Sequence, residues 1–161
     1  MFRVGLGHDV HAFAPAGSSR PLVLGGVEIP GEPGLAGHSD ADVLTHSVCD
    51  AVLGALGLGD LGRHFPDSDP RWKGVSSLHL LEKVTILMQE RGYRLINLDA
   101  VVIAESPKIA PHSVAMKRKI AAALAATESE VNIKGTSPEG LGSLGRKEGI
   151  AAETIALIGN I

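Results

Sequence analysis

The chain has 161 residues, 44% of them hydrophobic and 20% charged, a composition that fits one globular domain, residues 1–161, with a sizeable core. A formal net charge of -3 and only 3% aromatic residues exclude the electrostatic footprint and the base-stacking platform of a nucleic-acid-binding protein. One cysteine, Cys49, excludes an intrachain disulfide, and no apolar stretch reaches the roughly 18–20 residues that span a bilayer.

The amino-terminal segment Met1–Phe13 reads as a strand, not as a basic and then apolar leader, so a cytoplasmic protein is expected, or a plastid one in a plant, with no transit peptide in this chain. Ala14–Arg20 is a loop. Leu22–Leu24 and Val27–Ile29 flank Gly25-Gly26, the signal of a two-residue hairpin turn. After a loop over Pro30–Gly37, Ala41 to about Leu56 has helical periodicity, and Ser39 with Asp42 three residues on predicts a capping-box start. Gly57–Gly74, rich in Gly, Pro and Asp, is an irregular loop of functional length. Val75–Glu90 is a second helix closed by Arg91-Gly92, and Leu95–Ala104 a buried strand. Ser106-Pro107 has the pattern of an N-cap followed by proline, leading into a helix over His112–Ala126. A short strand at Val131–Gly135, a Gly-rich turn region at Thr136–Gly149 and a last strand at Ile150–Ile158 complete the chain. Interleaved helices and strands with an early hairpin predict an α/β sandwich, a mixed sheet covered by helices on one face.

Residues two apart on a strand share a face, so Asp9 and His11 present a carboxylate and an imidazole together, with His8 and Val10 turned away. On the following helix, Asp42, His46 and Asp50 are spaced four apart and form a polar stripe, which would also suit a solvated face. Two histidines and one aspartate form a ligand set that zinc accepts, and three protein ligands leave a position open for chemistry.

Several motifs occur in order along nearly the whole chain: Gly7-His-Asp-Val-His11, His38-Ser-Asp-Ala-Asp42, Leu58-Gly-Asp-Leu-Gly62, Phe65-Pro-Asp-Ser-Asp-Pro70, Pro107-Lys108, Lys134, Glu139-Gly-Leu-Gly142 and Gly145-Arg146. This ordered set closely resembles the 2-C-methyl-D-erythritol 2,4-cyclodiphosphate synthases of the non-mevalonate isoprenoid pathway. The resemblance implies a ferredoxin-like mixed sheet in a cytoplasmic homotrimer with active sites at the subunit interfaces. The implied reaction is an intramolecular phosphoryl transfer on a cytidine diphosphate-linked substrate, which releases CMP.

The resemblance further implies that Asp9, His11 and His46 bind zinc, and that Glu139 is a ligand of Mg²⁺ or Mn²⁺ between the two phosphates of the substrate. His38 and Ser137 would stabilise the reacting phosphates, His38 and Ser39 sitting at a helix start where an anion is favoured. Asp60, Leu61 and Gly62, with Phe65, Pro66, Asp67, Ser68 and Asp69, would hold the methylerythritol unit. Ala104 and Pro107–Ala110 (with Lys108 near phosphate and Ile109 between) would form the cytidine pocket. Asp9, Val10, His11, Thr136, Ser137, Pro138, Glu139, Ser143 and Arg146 complete the implied substrate contacts. Arg146 would also lie toward the trimer core, where some members hold an isoprenoid diphosphate.

The chain departs from the family pattern at Gly135, Ser137, Pro138, Ser143 and Lys147. Lys134 is either a phosphate contact or a strand-end lysine, and Arg146 either a phosphate fork or the partner of Glu148. Cys49 reads as a core residue. Two rival functions use the same residues: a zinc-dependent phosphohydrolase, and a non-catalytic trimer that binds an isoprenoid diphosphate around Arg146.

Overall fold

Strand β1 (Phe2–Ala12) has two unlike faces. Its odd-numbered positions from Gly5 to His11 turn inward, and its even-numbered positions Phe2, Val4, Leu6, His8 and Val10 are exposed. The computed structural model, which describes residues 1–160, continues with the hairpin β2 (Pro21–Leu24) and β3 (Val27–Pro33), then α1 (Val43–Leu56), α2 (Leu61–His64), α3 (Ser77–Glu90), β4 (Tyr93–Ile103), α4 (Ser113–Ala123), β5 (Val131–Thr136), α5 (Gly142–Gly145) and β6 (Gly149–Asn160). The order in the main sheet is β1-β6-β4-β5. β6 is antiparallel to both neighbours and β4–β5 is parallel, so the sheet is mixed. The hairpin forms a separate two-stranded sheet whose turn places Gly25 and Gly26 at φ of 57° and 70°, the doubly positive pair that makes glycine the natural choice at both positions.

The core lies between one face of the main sheet and the helices: Leu44, Val48 and Val52 of α1, Leu81 and Val84 of α3, and Leu98, Ala100 and Val102 of β4 are buried. Helix α1 lies directly on β1 because Gly5 and Gly7 have no side chains. A Cβ on Gly5 would come within 1.9 Å of the Ala51 carbonyl oxygen, and one on Gly7 within 1.8 Å of that of Ser47. Among the described residues, no helix covers the opposite face of the sheet, which carries the exposed apolar side chains of Phe2, Val4, Leu6, Val10 and Ile155.

The structure differs from the residue pattern at three places. Helix α1 starts at Val43, with Asp42 and not Ser39 as its N-cap. Asp42 wins because its carboxylate is fully buried and takes the Gly25, Gly26 and Thr45 N–H groups at 2.9, 2.6 and 3.0 Å. It therefore joins the hairpin turn to the helix and is no part of a solvated stripe. Ser106-Pro107, secondly, starts no helix: α4 begins at Ser113, and Ser106 Oγ donates instead to Glu32 at 2.9 Å. The Gly57–Gly74 loop, thirdly, contains α2 and a 3₁₀ turn at Pro70–Trp72, started by Asp60 and Asp69, whose carboxylates accept the Arg63 and Arg71 N–H groups.

Candidate metal centre and its cleft

The close packing of α1 on β1 brings together side chains that lie 35 and 37 residues apart in sequence. His46 Nδ1 lies 3.0 Å from Asp9 Oδ2 and 3.3 Å from His11 Nε2, and His11 Nε2 lies 3.0 Å from the same carboxylate oxygen. Four tetrahedral ligands with bonds of about 2.0–2.1 Å stand about 3.3 Å apart, so this triangle matches one face of a zinc-sized coordination shell. The residues fit a divalent cation on chemistry as well as size: one anionic oxygen and two imidazole nitrogens. Among the described residues, Asp9, His11 and His46 are the group of His, Cys, Asp or Glu able to hold a metal ion. His8 takes no part, its ring pairing with Glu153 on the opposite face at 3.3 Å.

Outer contacts fix which nitrogen of each ring is free. His11 Nδ1 donates to the Ala36 carbonyl at 2.6 Å, which leaves Nε2 as the nitrogen that faces the cluster and that a cation would take. His46 Nε2 lies 2.9 Å from Ser77 Oγ and 3.0 Å from Ser39 Oγ, and this leaves Nδ1 facing inward. The Asp9 oxygen outside the triangle, Oδ1, accepts the N–H of Val10 at 2.9 Å. Val10 contributes only that backbone group, since its side chain is on the uncovered face. Partial burial raises the Asp9 carboxyl pKa, but the hydrogen bonds and charges of His11 and His46 outweigh it and hold the group far below the ordinary carboxylate range. Reciprocally, Asp9 raises the His11 pKa against the opposing effect of burial.

The triad forms one wall of a cleft of about 450 Å³, and His38, Asp60, Leu61, Gly62, Phe65 and Asp67 line it too. Its floor includes Asp50, whose carboxyl burial pushes up and whose Oδ1 accepts the Leu61 N–H at 2.7 Å. Among the described residues, His38 Nε2 and Trp72 Nε1, both on the cleft lining, are buried and have no hydrogen-bond partner. Pro66 and Ser68 are exposed outside the cleft, and Asp69 is taken up by its bonds to Arg71, the shortest at 2.6 Å. Ser39 lines the cleft as well, but as the neighbour of His46; no helix begins there to offer an anion its N–H groups.

A second, smaller cavity of about 170 Å³ is lined by Ala104, Pro107, Lys108, Ile109, Ala110, Thr136 and Ser137, with Gly135 at its base. A Cβ on Gly135 would lie 2.7 Å from that of Ile109, which is why the β5 end can close on this segment. Ser137 Oγ donates to Glu105 at 3.2 Å and accepts the Glu139 N–H at 2.9 Å. Pro138, Glu139, Ser143 and Arg146 line neither cavity. Arg146 pairs with Glu148 at 2.7 Å and Lys134 with Asp99 at 2.6 Å, the simpler of the two roles open to each.

Residue patterns alone gave no role to Arg20, Ser77 and Glu105, nor to Asp40, which they placed only within the His38–Asp42 motif. Arg20 donates to the carbonyls of Leu35, Gly37 and Ser39 and so holds the turn that carries His38. Its partners are backbone atoms, which no side-chain motif encodes.

The pattern of the YgbB family matches residues 2–159. The chain belongs to the YgbB family. A YgbB relative from Geobacillus thermodenitrificans, 2-C-methyl-D-erythritol 2,4-cyclodiphosphate synthase, is 54% identical over 158 residues, covering 98% of this chain and 97% of its own. The bifunctional IspDF of Campylobacter jejuni aligns structurally over 100% of this chain with a TM-score of 0.94 and 43% identity, and this chain spans 43% of that longer protein. IspF of Plasmodium falciparum, solved as a CDP complex, aligns over 99% of this chain and 96% of its own with a TM-score of 0.86 and 33% identity. Membership of the YgbB family and the mixed sheet with its hairpin thus agree with the resemblance read from the ordered motifs. No helix among the described residues is long and apolar enough to cross a membrane.

Proposed function

We propose that the protein converts 4-diphosphocytidyl-2-C-methyl-D-erythritol 2-phosphate to 2-C-methyl-D-erythritol 2,4-cyclodiphosphate and CMP. The observation that carries this reading is the Asp9–His11–His46 triangle, sized for a divalent ion, on a cleft wall that also carries His38 and the Asp60–Asp67 segment. In the step, an oxygen of the 2-phosphate bonds to the β-phosphorus, and the bond from that phosphorus to the CMP oxygen breaks. Both reacting groups are anionic, so the barrier is mostly charge repulsion and alignment.

A divalent cation, zinc on this ligand set, would supply charge neutralisation and Lewis acidity to phosphate oxygens. His38 contributes a ring nitrogen that has no partner among the described residues and is free to meet a phosphate oxygen. Asp60 uses Oδ1 on the Arg63 N–H, at 2.9 Å, leaving Oδ2 to accept from a methylerythritol hydroxyl. Phe65 gives that unit an apolar wall. The smaller cavity suits the cytidine portion, with Lys108 beside the phosphates and the Ser137 hydroxyl at its edge. Glu139 is exposed and is suited to a Mg²⁺ or Mn²⁺ ion whose other ligands are substrate phosphates.

The two cavities are separate on one chain, and the uncovered sheet face carries Phe2, Val4 and Leu6, 67–71% exposed. Both features support a homotrimer in which that face is buried and each active site joins the two cavities from different subunits. The test is to incubate the metal-loaded protein with the substrate and Mg²⁺ and follow phosphorus NMR. Formation of cyclic diphosphate together with CMP supports the proposal. Release of inorganic phosphate would instead establish a phosphohydrolase, and absence of turnover a binding protein.

A further inference from the structure

We propose that Asp40, acting through Ser77, is a positioning residue for the metal centre: it fixes His46 as the Nδ1 ligand and strengthens its hold on the ion. The inference rests on the reading of Asp9, His11 and His46 as ligands of a divalent cation. None of the motif residues of the cleft includes Ser77, which belongs to the first turn of α3, 31 residues after His46.

The direction of the hydrogen-bond chain follows from donor inventory alone. An ionised Asp40 can only accept. Its Oδ1 contacts Ser77 Oγ, and its Oδ2 takes the Ser77 N–H at 2.9 Å, so the serine is gripped at two points. With its only proton committed to Asp40, Ser77 Oγ must act as acceptor toward His46 Nε2, 2.9 Å away. His46 therefore carries a proton on Nε2, which leaves Nδ1, 3.0 Å from Asp9 Oδ2 and 3.3 Å from His11 Nε2, as the nitrogen whose lone pair a bound cation would take. Ser77 is wholly buried, so water does not compete for this arrangement. Ser39 Oγ, 3.0 Å from the same Nε2, is a second acceptor but has no carboxylate behind it; the Ala41 N–H donates to it at 3.2 Å.

A negative charge at the far end of this chain makes the imidazole a better electron donor and holds the ring plane. Outer-shell partners of this kind are worth about 10–100-fold in metal affinity. Asp40 is itself anchored, its N–H donating to the Val75 carbonyl at 3.0 Å, so the relay also ties the His38-bearing turn to the start of α3.

The test uses the whole protein and three variants: Asp40→Asn, Ser77→Ala and the double variant. Zinc dissociation constants are measured by competition with a chromogenic chelator, and thermal unfolding of the metal-free proteins serves as the fold control. The relay predicts a 10–100-fold weaker zinc affinity in each single variant, with no further loss in the double, because both remove the same chain. Zinc affinity within twofold of the parent in Asp40→Asn, or losses that multiply in the double variant, would overturn it. Where Asp40→Asn gives no cooperative unfolding transition, Ser77→Ala decides: a tenfold or greater weakening at an unchanged melting temperature supports the relay, and an unchanged affinity overturns it. A parent protein that binds no zinc would remove the metal reading beneath the proposal, an outcome distinct from tight binding by parent and variants alike.

Discussion

Replacing Gly7 with alanine should break the site from a distance, because that glycine sets how closely α1 can approach β1. The added Cβ would stand 1.8 Å from the Ser47 carbonyl oxygen and 2.7 Å from the Ala51 nitrogen. Carbon and oxygen tolerate about 3.3 Å, so helix and strand must separate by roughly 1.5 Å at this point. Both sides of the clash are backbone and no rotamer relieves it, which puts the cost at the upper end of overpacking, on the order of 3 kcal/mol. For a chain of this size that is a fall in melting temperature of about 6–12 °C. The same displacement carries His46 away from Asp9, to which it stands at 3.0 Å, and an error of about 1 Å at a reacting site costs on the order of 100-fold in rate. Gly54→Ala is the control: on the same helix, its Cβ would meet only the Leu6 oxygen at 3.8 Å, an ordinary contact, so a gain of about 0.5–1 kcal/mol is expected. Thermal unfolding and zinc titration of the two variants check both halves. A Gly7→Ala protein that melts within 2 °C of its parent (by the same scale, under about 1 kcal/mol) and keeps its zinc affinity would refute the argument.

Three further outcomes follow from single residues. Asp42→Ala strands the N–H groups of Gly25, Gly26 and Thr45 and should cost at least about 3 kcal/mol in urea unfolding, with a loss below about 1 kcal/mol counting against the shared cap. Trp72→Phe removes an N–H that has no partner among the described residues, but also part of the ring system that packs edge-on against Phe65 at 5.0 Å; the two effects oppose, so the net loss in urea unfolding should stay below about 1 kcal/mol, and a loss above about 3 kcal/mol would contradict an unpaired N–H. Hydrogen bonds from Lys134, first, and Asn132 hold the Asp99 carboxyl below its ordinary value of 3.8, so this pair stabilises the fold above that pH and the contribution is lost as pH falls through the lowered value. Lys134→Met should return the Asp99 titration toward 3.8 in carbon NMR, and an unchanged titration would show that the pair is not formed.

What could be read from the residue pattern is what local geometry dictates. Strand alternation put Asp9 and His11 on one face and His8 on the other, and Gly25-Gly26 marked the hairpin, because both depend only on neighbouring residues. The start of α1 is ambiguous in the sequence because Ser39 and Asp42 are both competent caps; the choice is made by N–H groups on the hairpin, 16 and 17 residues away. Pro107 looked like a helix start, but its segment is used to line the smaller cavity. That His46 reaches Asp9 depends on Gly5 and Gly7 admitting the helix, a packing fact with no local signature. The outer contacts from Arg20 and from Asp40 through Ser77 were invisible for the same reason: their partners are carbonyls or a serine on a distant helix.

The central claim, that Asp9, His11 and His46 are ligands of one divalent ion, is tested most directly by X-ray absorption on the zinc-loaded protein. One ion per chain is expected, with two imidazole nitrogens and carboxylate oxygen at about 2.0–2.1 Å and no sulfur. A zinc–sulfur distance near 2.3 Å, which only Cys49 or a methionine could supply, or an unaltered spectrum in His46→Ala, would contradict it.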